Sequence, residues 1–199
     1  MQPAYYEDFT EIKKKIWSIL NNAVTDRSSQ FRIPIFICGD QSDFGGRIIV
    51  LRKSDKSNNL LQYHTDIRSD KIAKLKNNKN ASMLFYDKEE KIQIRIKVEC
   101  TINRNNEITK KSWSKTGHMS RKCYLTDNGP GIKTPTPTSG LKPELDSYEF
   151  TMEQSEEGYK NFSVIQCKIK SIEWLYLAAK GHRRARFELD NNKEYWLVP

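Results

Sequence analysis

Three short stretches of this chain combine cations, hydroxyls and amides in ways that suit a phosphate. The first, Arg47-Ile48-Ile49-Val50-Leu51-Arg52, places an arginine at each end of an apolar run. The second, Tyr63-His64-Thr65-Asp66-Ile67-Arg68-Ser69-Asp70-Lys71, passes from a strand-like segment into a helix start. Helix-start amides, a serine hydroxyl and two cations can hold a phosphate dianion through charge-assisted hydrogen bonds. In the third, Ile92 to Val98, isoleucines and a valine fill one face while Gln93, Arg95 and Lys97 share the other. Each stretch also has a plainer explanation. The arginines fit solvated strand ends, Ser69 and Asp70 fit ordinary helix capping, and the polar strand face fits a solvent-facing edge.

Other chemistry is thinly supplied. Cys38, Cys100, Cys123 and Cys167 are far apart and form no Cys-x-x-Cys pair. A zinc site or redox dithiol is therefore not expected, and reduced thiols in a cytoplasmic setting are. His118 and His182 lack metal-ligand spacing to any acid or cysteine, so no metal is expected. No Ser-His-Asp arrangement and no Gly-rich phosphate loop of dinucleotide or Walker type can be assembled. Trp17, Trp113 and Trp196 read as packing residues.

The elements that must position these residues are mostly short strands. Phe9, Ile12, Ile16 and Leu20 recur at helical spacing, which predicts an amphipathic helix over Asp8 to Asn22. Phe31 to Cys38 reads as a strand in which Ile33, Ile35 and Ile37 alternate. Gly39 to Gly46 reads as a turn region. Arg47 to Lys53 reads as a buried, central strand, apolar on both faces. Leu60 to Thr65 follows as a strand, then a short helix capped by Ser69 with Ile72 and Leu75 inward. Ala81 to Tyr86 and Ile92 to Ile102 form a hairpin. Asn105 to Tyr124 reads as one or two helices. The proline- and glycine-rich segment from Thr126 to Pro143 is a long loop. Phe162 to Ala178 reads as one long or two short strands, and Arg183 to Leu189 with Tyr195 to Val198 as a last hairpin. Strands joined by turns rather than by crossover helices predict an antiparallel barrel or sandwich with peripheral helices.

The chain has 199 residues, enough for the one domain expected over 1-199. Its formal net charge of +9 favours phosphates, acidic small molecules, nucleic acid or anionic lipid as partners. Aromatic residues at 11% argue against disorder. No apolar stretch is long enough for a membrane span, and the mixed, acidic N-terminus does not read as a signal peptide.

Taken together and in order, the motifs resemble those of the pyridoxamine 5'-phosphate oxidase-like proteins, the FMN-binding split barrels. That family's pattern is Arg-x-Val-Leu-Leu-Lys, then Tyr-Thr-Asn or Thr-Asp before Ser-x-Lys, then a Gln-x-Arg strand. Here the same order reads RIIVLR, YHTDIRSDK and QIR. Glu173-Trp174-Leu175 and Gly181-His182-Arg183-Arg184-Ala185-Arg186-Phe187 resemble the Trp and Arg-Phe segment that closes the family's flavin site. An oxidase-related subgroup is similar in both its Thr-Asp-x-Arg-Ser-x-Lys and its Gly-His-Arg-Arg-Ala-Arg-Phe wording.

The resemblance implies a mainly β (α+β) fold, an antiparallel six-stranded-type split β-barrel with peripheral helices. It implies an FMN-binding oxidoreductase that oxidises a small-molecule substrate by hydride transfer. Arg47, Ser69 and Lys71 would hold the flavin phosphate, with Arg68 joining them. The backbone of Ile49, Val50 and Leu51 would lie along the isoalloxazine edge, with Arg52 ending that motif. His64 and Thr65 would line the ribityl or phosphate end, and Gln93 would contact the ring or its chain. A homodimer is implied, with Trp174 and Arg186 supplied across the subunit interface.

Two departures from the biosynthetic oxidases stand out. Arg52 replaces their Lys, and Asp70 replaces their Arg before Lys71. Their C-terminal Arg-x-His pair becomes His182-Arg183-Arg184, so the substrate side transfers less well. Arg121, Tyr124, His182 and Arg184 are the substrate candidates. A non-catalytic flavin- or haem-binding module of the same fold is the alternative. A basic nucleic-acid-binding barrel is a further one, disfavoured because the strands lack surface aromatic clusters.

Overall fold

A computed structural model describes residues 5–39, 43–145 and 150–199. Helix α1 spans Phe9–Thr25, and the Asp8 carboxylate accepts from the Glu11 amide as its cap. Its apolar stripe buries Ile12, Ile16, Trp17, Leu20 and Ala23, each large aliphatic side chain contributing roughly 1.5–3 kcal/mol of transfer free energy. The helix runs three residues beyond the expected end at Asn22. Phe9 stacks on Trp196 at 4.5 Å and meets Phe187 edge-on, which ties this helix to the end of the chain.

Nine strands form one antiparallel sheet. They are β1 (Ile35–Gly39), β2 (Phe44–Ile48), β3 (Leu51–Asp55), β4 (Leu60–Asp66), β5 (Asn80–Asp87), β6 (Ile92–Asn103), β7 (Phe162–Tyr176), β8 (Arg183–Glu188) and β9 (Lys193–Leu197). The main order is β2-β1-β5-β6-β7-β4-β3. The 15-residue β7 is the spine. One edge pairs with β6, while the other pairs first with β4 and then, from Ser171, with β8. The register of β6 against β7 shifts at Lys97/Val98, opposite the point where β7 changes partner. A bulge adds local twist, and here it sits where the sheet splits.

The ring of strands is not closed by hydrogen bonds. β2 and β3 lie at opposite ends of the sheet path and are joined only by Ile49 and Val50. The single central strand expected over Arg47 to Lys53 is therefore corrected. Its two halves pair with β1 and with β4, and Ile48 is 66% exposed. The turn expected up to Gly46 also ends early, because Phe44 to Gly46 already pair with β1.

Strand β1 differs too. A 3-10 turn at Gln30–Arg32 and Pro34 precede it. Phe36 and Cys38 point into the core, so Ile33, Ile35 and Ile37 face out. The period-2 pattern held; the larger Phe36 side chain took the inner face. Phe44, Ile48 and Tyr86 are exposed as well.

Four further helices sit around the sheet: α2 (Asp70–Asn77), α3 (Glu107–Ser114), α4 (His118–Arg121) and α5 (Met152–Glu156). Asn106 and Thr109 form a capping box at the start of α3. Residues 126–142 form no regular element. Among the described residues no helix is long and apolar enough to cross a membrane.

Candidate functional site

The break between β2 and β3 opens a cavity of about 360 Å³. Arg47 to Val50 and Arg52 supply one side, His64 and Thr65 of β4 the floor, and Lys71 of α2 another side. Cys123 and Tyr124, in a 3-10 turn after α4, form the remaining wall. The Ile49 amide bonds the Pro34 carbonyl at 3.1 Å, which holds the junction outside both ladders. Gly45 matters here: a Cβ on it would come within 2.6 Å of Arg47 Nη2. The missing side chain leaves the guanidinium room to fold back along β2.

The cavity is positive and short of counter-charge. Lys71 Nζ donates to Thr65 Oγ1 at 2.7 Å and to Ser69 Oγ at 3.1 Å, both neutral oxygens. Arg47 Nη1 donates to Cys38 Sγ at 3.1 Å, and Nη2 lies 3.9 Å from the exposed Asp70 carboxylate. Asp70 is closer to Lys74, at 3.1 Å. Burial lowers the Lys71 pKa and neighbouring Arg47 adds to it. Burial lowers the Arg52 pKa, with Arg32 repelling it. His64 is held down to about 4, first by burial and then by Arg52, so it is neutral near pH 7. Burial pushes the Tyr124 phenol up, which keeps its proton in place. Uncompensated cations beside hydroxyls are a donor set for an anion.

Ser69 precedes α2, but its hydroxyl makes no cap bond to the helix. It donates to the Asp66 carbonyl at 2.8 Å and so faces Lys71 and Thr65 instead. Arg68 turns the other way. Its guanidinium holds Asp66, Thr126 and Asp127. Arg121, a substrate candidate in the sequence, turns its donors to the fold. It is buried, donates to the carbonyls of Thr116 and Trp113, pairs with Glu156 and stacks on Trp113 at 4.5 Å.

The remaining sequence-derived residues lie elsewhere in the same chain. Leu51 is fully buried in the core, beside the junction. Gln93 sits mid-sheet on β6, opposite Tyr86 and Leu175. Trp174 is fully buried against Tyr5, Tyr6 and Tyr176 of the same chain. Arg184 and Arg186 line a separate cavity of about 390 Å³ on the outer face of β6, β7 and β8, with Arg95 and Glu173. His182 accepts from the Ala178 amide in the turn before β8.

Sequence reasoning missed Cys123, Gly45 and a second basic groove. That groove, of about 560 Å³, shares Arg52 and His64 with the first cavity. It adds Lys53 and Gln62 from the strands and Lys111, Ser112 and Lys115 from α3 and its end. The spacing of Lys111 and Lys115 by four on an expected helix was the available signal. Among the described residues no group of three or more His, Cys, Asp or Glu converges as a metal site.

Residues 17–104 match the family model described as the pyridoxamine 5'-phosphate oxidase FMN-binding domain. No match is found among curated protein sequences. Among solved structures, a pyridoxamine 5'-phosphate oxidase-related, FMN binding protein from Nostoc punctiforme is similar over 100% of this chain and 98% of its own. The identity is 16% and the TM-score 0.69. PhzG from Burkholderia lata, solved with tetrahydrophenazine-1-carboxylic acid, covers 100% and 98% at 17% identity with a TM-score of 0.71. A Clostridium acetobutylicum protein related to general stress protein 26 covers 89% and 97% at 12% identity with a TM-score of 0.54. These likenesses are ones of fold: mainly antiparallel β with peripheral helices, as expected from the motifs.

Proposed function

We propose that this chain, whose residues 17–104 match the FMN-binding domain model of the pyridoxamine 5'-phosphate oxidases, is an FMN-dependent oxidoreductase acting on a small acidic substrate. One observation carries the reading. Arg47 and Lys71 converge with Thr65 and Ser69 at a strand break, and among the described residues neither cation has a carboxylate nearer than the exposed Asp70, 3.9 Å from Arg47. These four would hold the phosphate of FMN, and the peptide groups of Ile49 to Leu51 would meet its ring edge. The flavin supplies hydride acceptance; the protein binds it, orients it and tunes its surroundings.

The substrate would lie toward Arg52 and His64, where the first cavity joins the basic groove. Lys111 and Lys115 line that groove without a carboxylate partner among the described residues and suit an acid group of the substrate. His64, held neutral near pH 7 by burial and by Arg52, offers the substrate an uncharged imidazole for hydrogen bonding. The exposed apolar strip of Ile35, Ile37, Phe44 and Ile48 suits self-association into a homodimer, which would bring Arg186 of the partner subunit to the site.

A direct test is release of the bound flavin. Denatured purified protein is expected to release FMN, and the apoprotein to rebind it and protect Cys123 from alkylation. Absence of both binding and protection would falsify the reading. Reduction of the bound flavin by an acidic amine or alcohol substrate, followed by reoxidation in oxygen, is the expected turnover. A flavin that photoreduces but accepts electrons from no substrate would assign the protein to the non-catalytic alternative.

A further inference from the structure

Thr65 and Lys71, either side of the turn between β4 and α2, line the cavity with Ser69 bonded to Lys71 beside them, and Cys123 and Tyr124 form its wall. Two side chains join these stretches. Asn161 Nδ2 donates to the Tyr124 carbonyl at 2.9 Å, while the Asn161 main-chain carbonyl accepts from the Ile67 amide at 2.8 Å. Arg68 does more. A guanidinium has five N–H donors, and each has a partner. Nε meets Asp66 Oδ1 at 3.0 Å. Nη1 meets the carbonyls of Thr126 and Asp127 at 2.9 and 3.1 Å. Nη2 meets Asp66 Oδ2 at 2.7 Å and Thr126 Oγ1 at 3.0 Å. Asp66 is itself buried and also accepts from the Arg68 amide at 2.8 Å.

We propose that Arg68 is a positioning residue, not a phosphate ligand: it locks the Tyr124 wall and the start of the 126–142 loop onto the turn that presents Thr65, Ser69 and Lys71. The assignment rests on the flavin reading for its ligand but not for its geometry. Arg68 has no donor left for an anion, whereas among the described residues Arg47 donates one side-chain hydrogen bond, to Cys38, with Asp70 no nearer than 3.9 Å, and Lys71 donates to two hydroxyls. Its charge is already matched by Asp66, so its role is to bridge two segments far apart in sequence. A lysine could keep the Asp66 pair but could not fork to both loop carbonyls.

The test uses Arg68→Ala, Arg68→Lys and Arg47→Ala in the full chain. The Cys123 thiol donates to the Ser120 carbonyl at 3.2 Å and partial burial pushes its pKa up, so faster alkylation in ligand-free protein at mildly alkaline pH reads loosening of the wall. Both Arg68 variants are expected to speed that alkylation by about tenfold, the scale of a weakened local closure. They are expected to speed release of FMN and riboflavin alike, leaving the ratio of the two affinities unchanged. Arg47→Ala is expected to lower that ratio and leave alkylation at the wild-type rate. An Arg68→Ala protein whose FMN-to-riboflavin ratio falls, with alkylation unchanged, would overturn the proposal, as would an Arg68→Lys protein matching the wild type in every readout. Wild-type protein that binds neither flavin would sink the flavin reading and leave the alkylation comparison to decide on the wall.

Discussion

The cavity at the β2–β3 break and the outer face of β6, β7 and β8 are both rich in arginine, and they treat it differently. On the outer face every arginine has a carboxylate. Arg95 and Arg184 converge on Glu173, and Arg186 pairs with Glu188 at 2.6 Å. In the cavity Arg47 has only the edge of Asp70 at 3.9 Å, Lys71 has hydroxyls, and Arg52 faces Arg32. A paired cation is already satisfied by the fold, and exposed pairs of this kind contribute little. A partly buried cation without a partner waits for an anion. The charge count alone cannot tell these apart; the carboxylate positions can.

Removing a cavity cation should have the largest effect. Arg47→Ala removes one or two ionic hydrogen bonds to the phosphate, each worth roughly 1.5–3 kcal/mol. FMN affinity, measured by titration of flavin fluorescence, is expected to fall by about tenfold or more. Affinity within a factor of two of wild type would make Arg47 a strand-end charge like those of the outer face.

His64 gives the next effect, in stability. Its folded-state pKa of about 4 lies below the ordinary 6.5. Between those values the unfolded chain binds a proton that the folded chain refuses. Stability is therefore full above about 6.5 and falls as pH drops toward about 4, by roughly 3 kcal/mol. Urea unfolding across this range should show the fall, and His64→Gln should flatten it. Bound phosphate should raise the His64 pKa and shrink the fall. No effect of ligand on the profile would separate His64 from the anion site.

A mixed dimer probes whether the two regions meet across subunits. Arg186→Ala alone is expected to weaken FMN several-fold. Coexpressed Arg47→Ala and Arg186→Ala chains should give dimers with one site restored to wild-type affinity. Mixed dimers with no restored site would confine the outer-face cluster to structure. The smallest effect is expected from Gly45→Ala. A methyl group 2.6 Å from Arg47 Nη2 displaces the end of a flexible side chain, costing a few-fold in FMN affinity and about 0.5 kcal/mol or less in stability. A larger stability loss would mean that the strand itself, not Arg47, needs the glycine.

Much of the fold was legible because its signals are local. The stripe of Ile12, Ile16 and Leu20 fixed α1, alternation fixed the β5–β6 hairpin, and the prolines marked 126–142 as irregular. The errors came where partners decide. Ile48 to Leu51 looks like one buried strand, yet its halves pair at opposite ends of the sheet. The alternation of Ile33, Ile35 and Ile37 did not say which face is inward, and Phe36 and Cys38 occupy it. In the site, Arg47, Thr65, Ser69 and Lys71 could be proposed from type and order. Arg68 and Arg121 could not be told from ligands, because their partners lie tens of residues away at Thr126, Asp127, Ser155 and Glu156.

The sequence by itself determined the periodicities, the excess of positive charge and the order of the motifs, since these depend on residue type and spacing. The tertiary structure alone decided which cations keep free donors. A guanidinium's role depends on whether a carboxylate or carbonyl from another segment reaches it first, and only folding sets that distance.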